Sequence, residues 1–424
     1  MNRGFAVKYI LILGGKLVKR KVLAFLLSAA MVILVLPAMV LAFEFSDMPD
    51  DWSKTALESA VENGLLTGAD GKLMPRDNLT RAQMAAVINR AFGATGKASL
   101  NGYTDVAPGA WYYDDMAKAV QMKTLLGSGD KLNPDSNITR EEAFVVLARA
   151  FKLTGSPETI LDMFSDKSEI NSWSEDGIAS LVSAGYITGS NGRLYPKQNI
   201  TRAEFAQIMY NLLKHYIKTL GTYSRIPEGN IMINAPDITL KDVAVKGDLI
   251  IGDGAGDGNI ILDNVKVTGR TVVRGGGPDS IKIIGGSELG SVIISKVDGN
   301  IRVVTESGVA VEVIYIDDGK DDVIIEGEIG SIKVDAANVP VVLRNAVVTN
   351  VTVTAPDANI NIESTATVDM VSVWQAASDV DLYIDGTVTT VTTEVSFSNL
   401  NTSNTECFFH NIATNLFFNT LGMC

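Results

Sequence analysis

The chemistry this chain could do is concentrated in three arginines. Arg81, Arg140 and Arg202 sit second in the tetrapeptides Thr80-Arg81-Ala82-Gln83, Thr139-Arg140-Glu141-Glu142 and Thr201-Arg202-Ala203-Glu204. In such a tetrapeptide the Thr hydroxyl and the terminal Glu or Gln cap a helix reciprocally, each satisfying an orphan backbone N–H. Capping does not need the arginine, and the positive end of the helix dipole disfavours it. Its recurrence at that end of three helices points to an anionic ligand. A guanidinium presents a planar fork that matches a carboxylate, and a helix start offers free N–H groups. An exposed arginine there is expected to serve binding and to add little to folding.

The three sites belong to an internal repeat. Phe45-Ser46-Asp47, Tyr103-Thr104-Asp105 and Phe164-Ser165-Asp166 are each followed by a tryptophan, at Trp52, Trp111 and Trp173. A Gly falls 16 residues after each Trp (Gly68, Gly127, Gly189), a Pro 23 after (Pro75, Pro134, Pro196) and Thr-Arg 28 and 29 after. Coincidence does not maintain such offsets three times, so the unit is a repeat of about 60 residues. Each copy reads as a helical hairpin: a helix after the Trp, a loop with Gly and Pro, and the capped second helix. Gly64 and Gly185 stand where a left-handed residue ends the first helix, whereas copy 2 has Lys123 there. The Trp residues read equally well as core anchors or as faces for a sugar ring. Asn78-Leu79-Thr80, Asn137-Ile138-Thr139 and Asn199-Ile200-Thr201 match the glycosylation triplet, but the cap and the turn before it explain them.

In these motifs the chain resembles the S-layer homology (SLH) family over about residues 43–216. The resemblance implies three copies packed with pseudo-threefold symmetry around grooves that hold a ligand. It also implies non-covalent attachment to a secondary polysaccharide of the bacterial cell wall, often one bearing pyruvate ketals. On that basis Arg81, Arg140 and Arg202 are the expected carboxylate binders. Asp47, Asp105 and Asp166, with Trp52, Trp111 and Trp173, are expected to line the grooves. Copy 2, with Lys123 for Gly and Leu126 for Thr, is expected to form the weakest groove, and copy 3 the best.

Export fits this assignment. The 424 residues exceed one compact core, so two or three domains are expected. Residues 1–42 hold six basic side chains and no acidic one. Lys16, Lys19, Arg20 and Lys21 precede an uncharged run from Val22, which ends at Val40-Leu41-Ala42. This is the order of a secretory signal. An uncleaved anchor is the rival, and Pro37 and Ala42 favour cleavage. The remainder carries 30 basic against 49 acidic side chains, a net −19. That excess argues against nucleic acid, and against a membrane surface once the signal is gone. Two His and two Cys do not make a zinc site or a disulfide framework, and nothing calls for a cofactor or metal.

The second half is a different repeat. Beyond a linker read at 219–236, β-branched runs begin at Ile238, Ile260, Ile281, Ile301, Val323, Val341, Ile360 and Leu382, at steps of 18 to 22 residues. Short strands separated by polar turns at that period read as a parallel β-solenoid of about eight coils over 237–395. Its acidic clusters, Asp317-Asp318 with Asp321-Asp322 and Asp253 with Asp257, lie in Gly-containing turns where solvated carboxylates are the default. The glycine-rich run 252–258 resembles a single calcium nonapeptide, but such sites need tandem copies. The tail, 396–424, reads as a hydrophobic cap or a truncated end.

The expected organisation is therefore a signal (1–42), three all-α repeats (43–100, 101–161, 162–218), a linker, an all-β solenoid and a tail. The expected function is that of a secreted, non-catalytic protein anchored at the bacterial cell wall or S-layer. The alternatives are a wall-anchored enzyme with the solenoid as its polysaccharide-degrading domain, and a subunit of the S-layer lattice.

Overall fold

The computed structural model describes residues 45–395, 397 and 399–402, with the backbone alone of 408–411 and 416–419. The expected signal and most of the tail lie outside the described residues. The architecture below belongs to one compact unit that begins at Asp47.

Six α-helices make up the repeats: α1 (Lys54–Glu62) and α2 (Arg81–Phe92) in copy 1, α3 (Tyr113–Gln121) and α4 (Arg140–Ala150) in copy 2, α5 (Glu175–Ser183) and α6 (Arg202–Leu212) in copy 3. Each second helix opens with the expected capping box, complete at Thr80/Gln83, Thr139/Glu142 and Thr201/Glu204. The hairpin expectation needs correction. The packed pairs are α3 on α2, α5 on α4 and α1 on α6, so each first helix lies against the second helix of the preceding copy. The loop between the two helices of one copy is long enough to carry the second helix to a neighbour.

Backbone bonds close this exchange into a ring. Leu79, Ile138 and Ile200 are fully buried. Their N–H groups donate in turn: Leu79 to Ile200 O at 2.9 Å, Ile200 to Ile138 O at 3.0 Å and Ile138 to Leu79 O at 3.0 Å. A buried apolar residue two places before each arginine is thus the hub of the repeat. A solvated turn would have no need of it.

The solenoid winds about nine turns rather than eight. The linker expected at 219–236 is its first coil. Gly221–Tyr223 pairs in parallel with residues 238–240, and Ile231–Ile233 with Leu249–Ile251. At the other end Asn399–Thr402 continues the ladder beyond residue 395. The expected starts are register partners: Ile238 with Ile260, Ile301 with Val323, Val323 with Val341, Val341 with Ile360 and Ile360 with Leu382. One step slips, since Lys282 pairs with Val304 and not with Arg302. Inward Val and Ile stack into one continuous core, while Thr352, Ser372 and Thr392 occupy half-buried positions between them.

The helical part docks on the early and middle coils. Lys123 takes a left-handed φ of 55°, and its Nζ donates to Asp318 at 2.7 Å. Lys152 pairs with Asp317 at 2.7 Å. Arg270 donates to the carbonyls of Phe151 and Lys152. Where copies 1 and 3 have Gly, copy 2 thus carries a side chain that reaches the solenoid, a contact no spacing rule reveals. Asp253 and Asp257 likewise hold basic partners, Arg274 at 2.8 Å and Lys296 at 2.7 Å. Among the described residues no group of three or more His, Cys, Asp or Glu side chains could hold a metal ion.

Candidate functional site

The ring exchange builds grooves from three copies at once. One cavity of about 180 Å³ is lined by the copy 1 loop and by Gln83, Val87 and Arg90 of α2. Trp111 from copy 2 and Arg202 from copy 3 complete it. A second, of about 660 Å³, repeats that set one copy on. There Glu142, Val146 and Arg149 of α4 are joined by Trp173 from copy 3 and Arg81 from copy 1. The Trp arrives because it precedes the first helix that packs on the groove's second helix. The arginine arrives because its helix start docks on the groove's loop.

Each arginine is held by that loop. Arg81 Nε donates to Leu132 O at 2.8 Å, Arg140 Nε to Leu194 O at 2.8 Å and Arg202 Nε to Leu73 O at 2.9 Å. Two guanidiniums also meet the capping glutamate of the next copy, Arg81 with Glu142 at 3.1 Å and Arg140 with Glu204 at 2.7 Å. Gln83 occupies that place opposite Arg202, which makes no ion pair among the described residues. Arg202 is 9% exposed, and the side chains of Arg81 and Arg140 are 12% and 13% exposed. The expectation of exposed arginines is overturned, because the loop of one copy closes over the helix start of another. Burial holds the pKa of all three below the ordinary arginine value, and neighbouring carboxylates (Glu142, Glu204 and Asp77 respectively) offset only part of that fall.

The helix starts are not free. Arg81 N–H donates to Ser136 O and Ala82 N–H to Pro134 O, both at 3.0 Å. Arg140 and Glu141 donate in the same way to Gln198 O and Pro196 O, and Arg202 and Ala203 to Asp77 O and Pro75 O. The repeated prolines are therefore acceptors for a neighbour's helix, and the caps take the remaining first-turn donors. An anion in these grooves meets side chains rather than helix N–H groups.

The three aspartates share one geometry of their own. Asp47 accepts from Leu73 and Met74 N–H, both at 2.7 Å. Asp105 accepts from Leu132 and Asn133 at 2.9 and 2.7 Å, and Asp166 from Leu194 and Tyr195 at 3.0 and 2.7 Å. Burial alone would raise these carboxyl pKa values, but the paired backbone bonds outweigh it and hold all three below the ordinary range. Each carboxylate thus clamps the loop whose preceding carbonyl-bearing residue, Leu73, Leu132 or Leu194, receives an arginine. The aromatic residue two before the aspartate packs over the repeated glycine: a Cβ on Gly127 would lie 2.8 Å from Tyr103, and one on Gly189 3.0 Å from Phe164.

The tryptophans are not core anchors. Trp52, Trp111 and Trp173 are 55%, 64% and 53% exposed. Trp111 and Trp173 edge the two cavities, and Trp52 lies 6.0 Å from the Arg76 guanidinium. Two residues escaped the sequence reading. Arg90 and Arg149, nine positions after the capping-box arginines, line the two cavities, and copy 3 has Asn211 in that place. Glu141 is buried and accepts from Asn171 and Ser174, which pins the turn bearing Trp173. The repeat offsets counted from each Trp would have exposed the two arginines, whereas Glu141 has Ala82 and Ala203 as its counterparts and follows no offset.

Comparison with known proteins identifies the repeats. The family model of the S-layer homology domain matches residues 44–85, 102–144 and 164–206. An amylopullulanase of Thermoanaerobacterium thermosulfurigenes is 31% identical over 175 residues, 40% of this chain and 9% of that protein. The surface-layer 125 kDa protein of Lysinibacillus sphaericus is 30% identical over 204 residues, 46% of this chain and 17% of that one. The S-layer protein sap of Bacillus anthracis is 27% identical over 265 residues, covering 59% and 31%. The chain therefore spans less than a third of the length of each of these relatives.

Proposed function

We propose that this chain, a secreted cell-surface protein carrying three S-layer homology domains, is held non-covalently to a secondary polysaccharide of the bacterial cell wall. The observation that carries this reading is the recurring groove: in each of two cavities an exposed tryptophan, a largely buried arginine and a capping-box side chain share the lining. A Trp face suits the apolar side of a sugar ring, and a guanidinium suits a carboxylate carried on it. Arg81, Arg140 and Arg202 are assigned as the polar contacts and Trp52, Trp111 and Trp173 as the stacking faces. Asp47, Asp105 and Asp166 shape the groove by clamping its loop. By repeat symmetry the third groove combines Arg140, Glu204 and Trp52.

The solenoid is assigned a non-catalytic, displayed role. Its acidic clusters support this, since Asp317, Asp318, Asp253 and Asp257 are engaged by Lys and Arg. The amylopullulanase aligns over 175 residues only, so its name lends the solenoid no activity. Soluble secondary polysaccharide should displace the bound chain from purified walls in proportion to its concentration. Retention of the chain at saturating polysaccharide would contradict the assignment.

A further inference from the structure

The grooves differ in charge at one position. Where copies 2 and 3 place Glu142 and Glu204, copy 1 places Gln83. Glu142 and Glu204 each neutralise the arginine that enters their groove, at 3.1 and 2.7 Å. Gln83 leaves the third one free. Arg202 is nine-tenths buried, its side chain donates from Nε to Leu73 O, and it lines the 180 Å³ cavity. Arg90 lines the same cavity, donating from Nη1 to Leu65 O at 2.9 Å and making no ion pair among the described residues. No carboxylate belongs to the residues lining this cavity. Of the nearby acids, Asp47 already accepts two backbone N–H groups, and Asp77 is exposed and makes no ion pair with Arg202 among the described residues. The second cavity also holds two arginines, Arg81 and Arg149, but Glu142 lines it too and pairs with Arg81 at 3.1 Å. The third position pairs Arg140 with Glu204 and replaces the second arginine by Asn211.

A buried guanidinium without a counter-ion is costly, and a desolvated anionic partner recovers most in that place. We propose that the copy 1 groove is the primary anion site of this chain, that it takes a carboxylate borne on a sugar beside Trp111, and that Gln83 is the residue that makes it so. This rests on the reading that the grooves hold wall polysaccharide, and it reverses the ranking expected from the repeat motifs, in which copy 3 was the best.

The test uses the full chain and secondary polysaccharide purified from the producing bacterium, in native form and with its carboxyl groups amidated. Gln83→Glu keeps the capping box, because Glu142 and Glu204 form the same box, so its melting temperature should be no lower than that of the wild type. The new carboxylate should pair with Arg202 and lower the affinity for native polysaccharide about tenfold or more. Glu142→Gln and Glu204→Gln should not lower it. Amidated polymer should bind the wild type about as weakly as native polymer binds the Gln83→Glu variant. Wild-type binding that Gln83→Glu leaves unchanged overturns the proposal and spares the wider reading. Equal wild-type affinity for native and amidated polymer overturns the carboxylate assignment. A wild type that binds neither polymer contradicts both the proposal and the reading beneath it.

Discussion

Replacing Asp166 by Asn isolates what the aspartates do. Asp166 is 2% exposed, and its carboxylate accepts two backbone N–H groups, Leu194 at 3.0 Å and Tyr195 at 2.7 Å, with Arg193 Nε a further 3.5 Å contact. Asn keeps one acceptor oxygen, and its NH₂ then faces the other N–H. The loss is one charge-assisted bond in a buried place, about 1.5–3 kcal/mol. For a helical part of this size that corresponds to a midpoint lower by roughly 3–12 °C. Fluorescence reports it cleanly in a Trp374→Phe background, because the other three of the four tryptophans lie in the repeats. The effect should depend on pH. The folded pKa of Asp166 lies below its ordinary 3.8, so its contribution is full above that value and is lost as pH falls through the folded one. The gap between wild type and variant should therefore be complete at pH 7 and should close below about pH 4. A gap that stays constant down to pH 3, or no gap at all, would refute the clamp.

Other outcomes follow from the same geometry. Arg202→Ala should weaken wall binding and also cost about 1–3 kcal/mol of stability, since it leaves Leu73 O without its donor; chemical denaturation read beside binding checks this. Trp173→Ala should weaken binding with a midpoint within about 2 °C of the wild type, because the ring is 53% exposed. A double-mutant cycle of Lys123→Met with Asp318→Asn should return a coupling of about 1 kcal/mol in thermal unfolding. Additive effects would show that the docking pair is incidental.

Much of the local structure was legible because it is local. The capping boxes at Thr80, Thr139 and Thr201 need four consecutive residues, and the solenoid starts, such as Ile301 and Val323, need only a steady period. What stayed hidden depends on neighbours far along the chain. Arg202 bonds a carbonyl 129 residues away, and nothing in its own copy reveals that this contact buries it. Lys123 was read as a defective helix end because its partner, Asp318, lies 195 residues on. The first coil was read as a linker since its three-residue strands are flanked by Gly and Pro. In the same way the Asp-to-loop clamp was visible only as a motif, because a carboxylate that lines a groove and one that ties its loop leave the same letter in the sequence.

The central claim is that the repeats hold this chain to the wall through a secondary polysaccharide. Co-sedimentation of the full chain with purified walls, before and after that polysaccharide is extracted, tests it most directly. The chain should pellet with native walls and remain in solution with extracted ones. Equal pelleting with both would contradict the account.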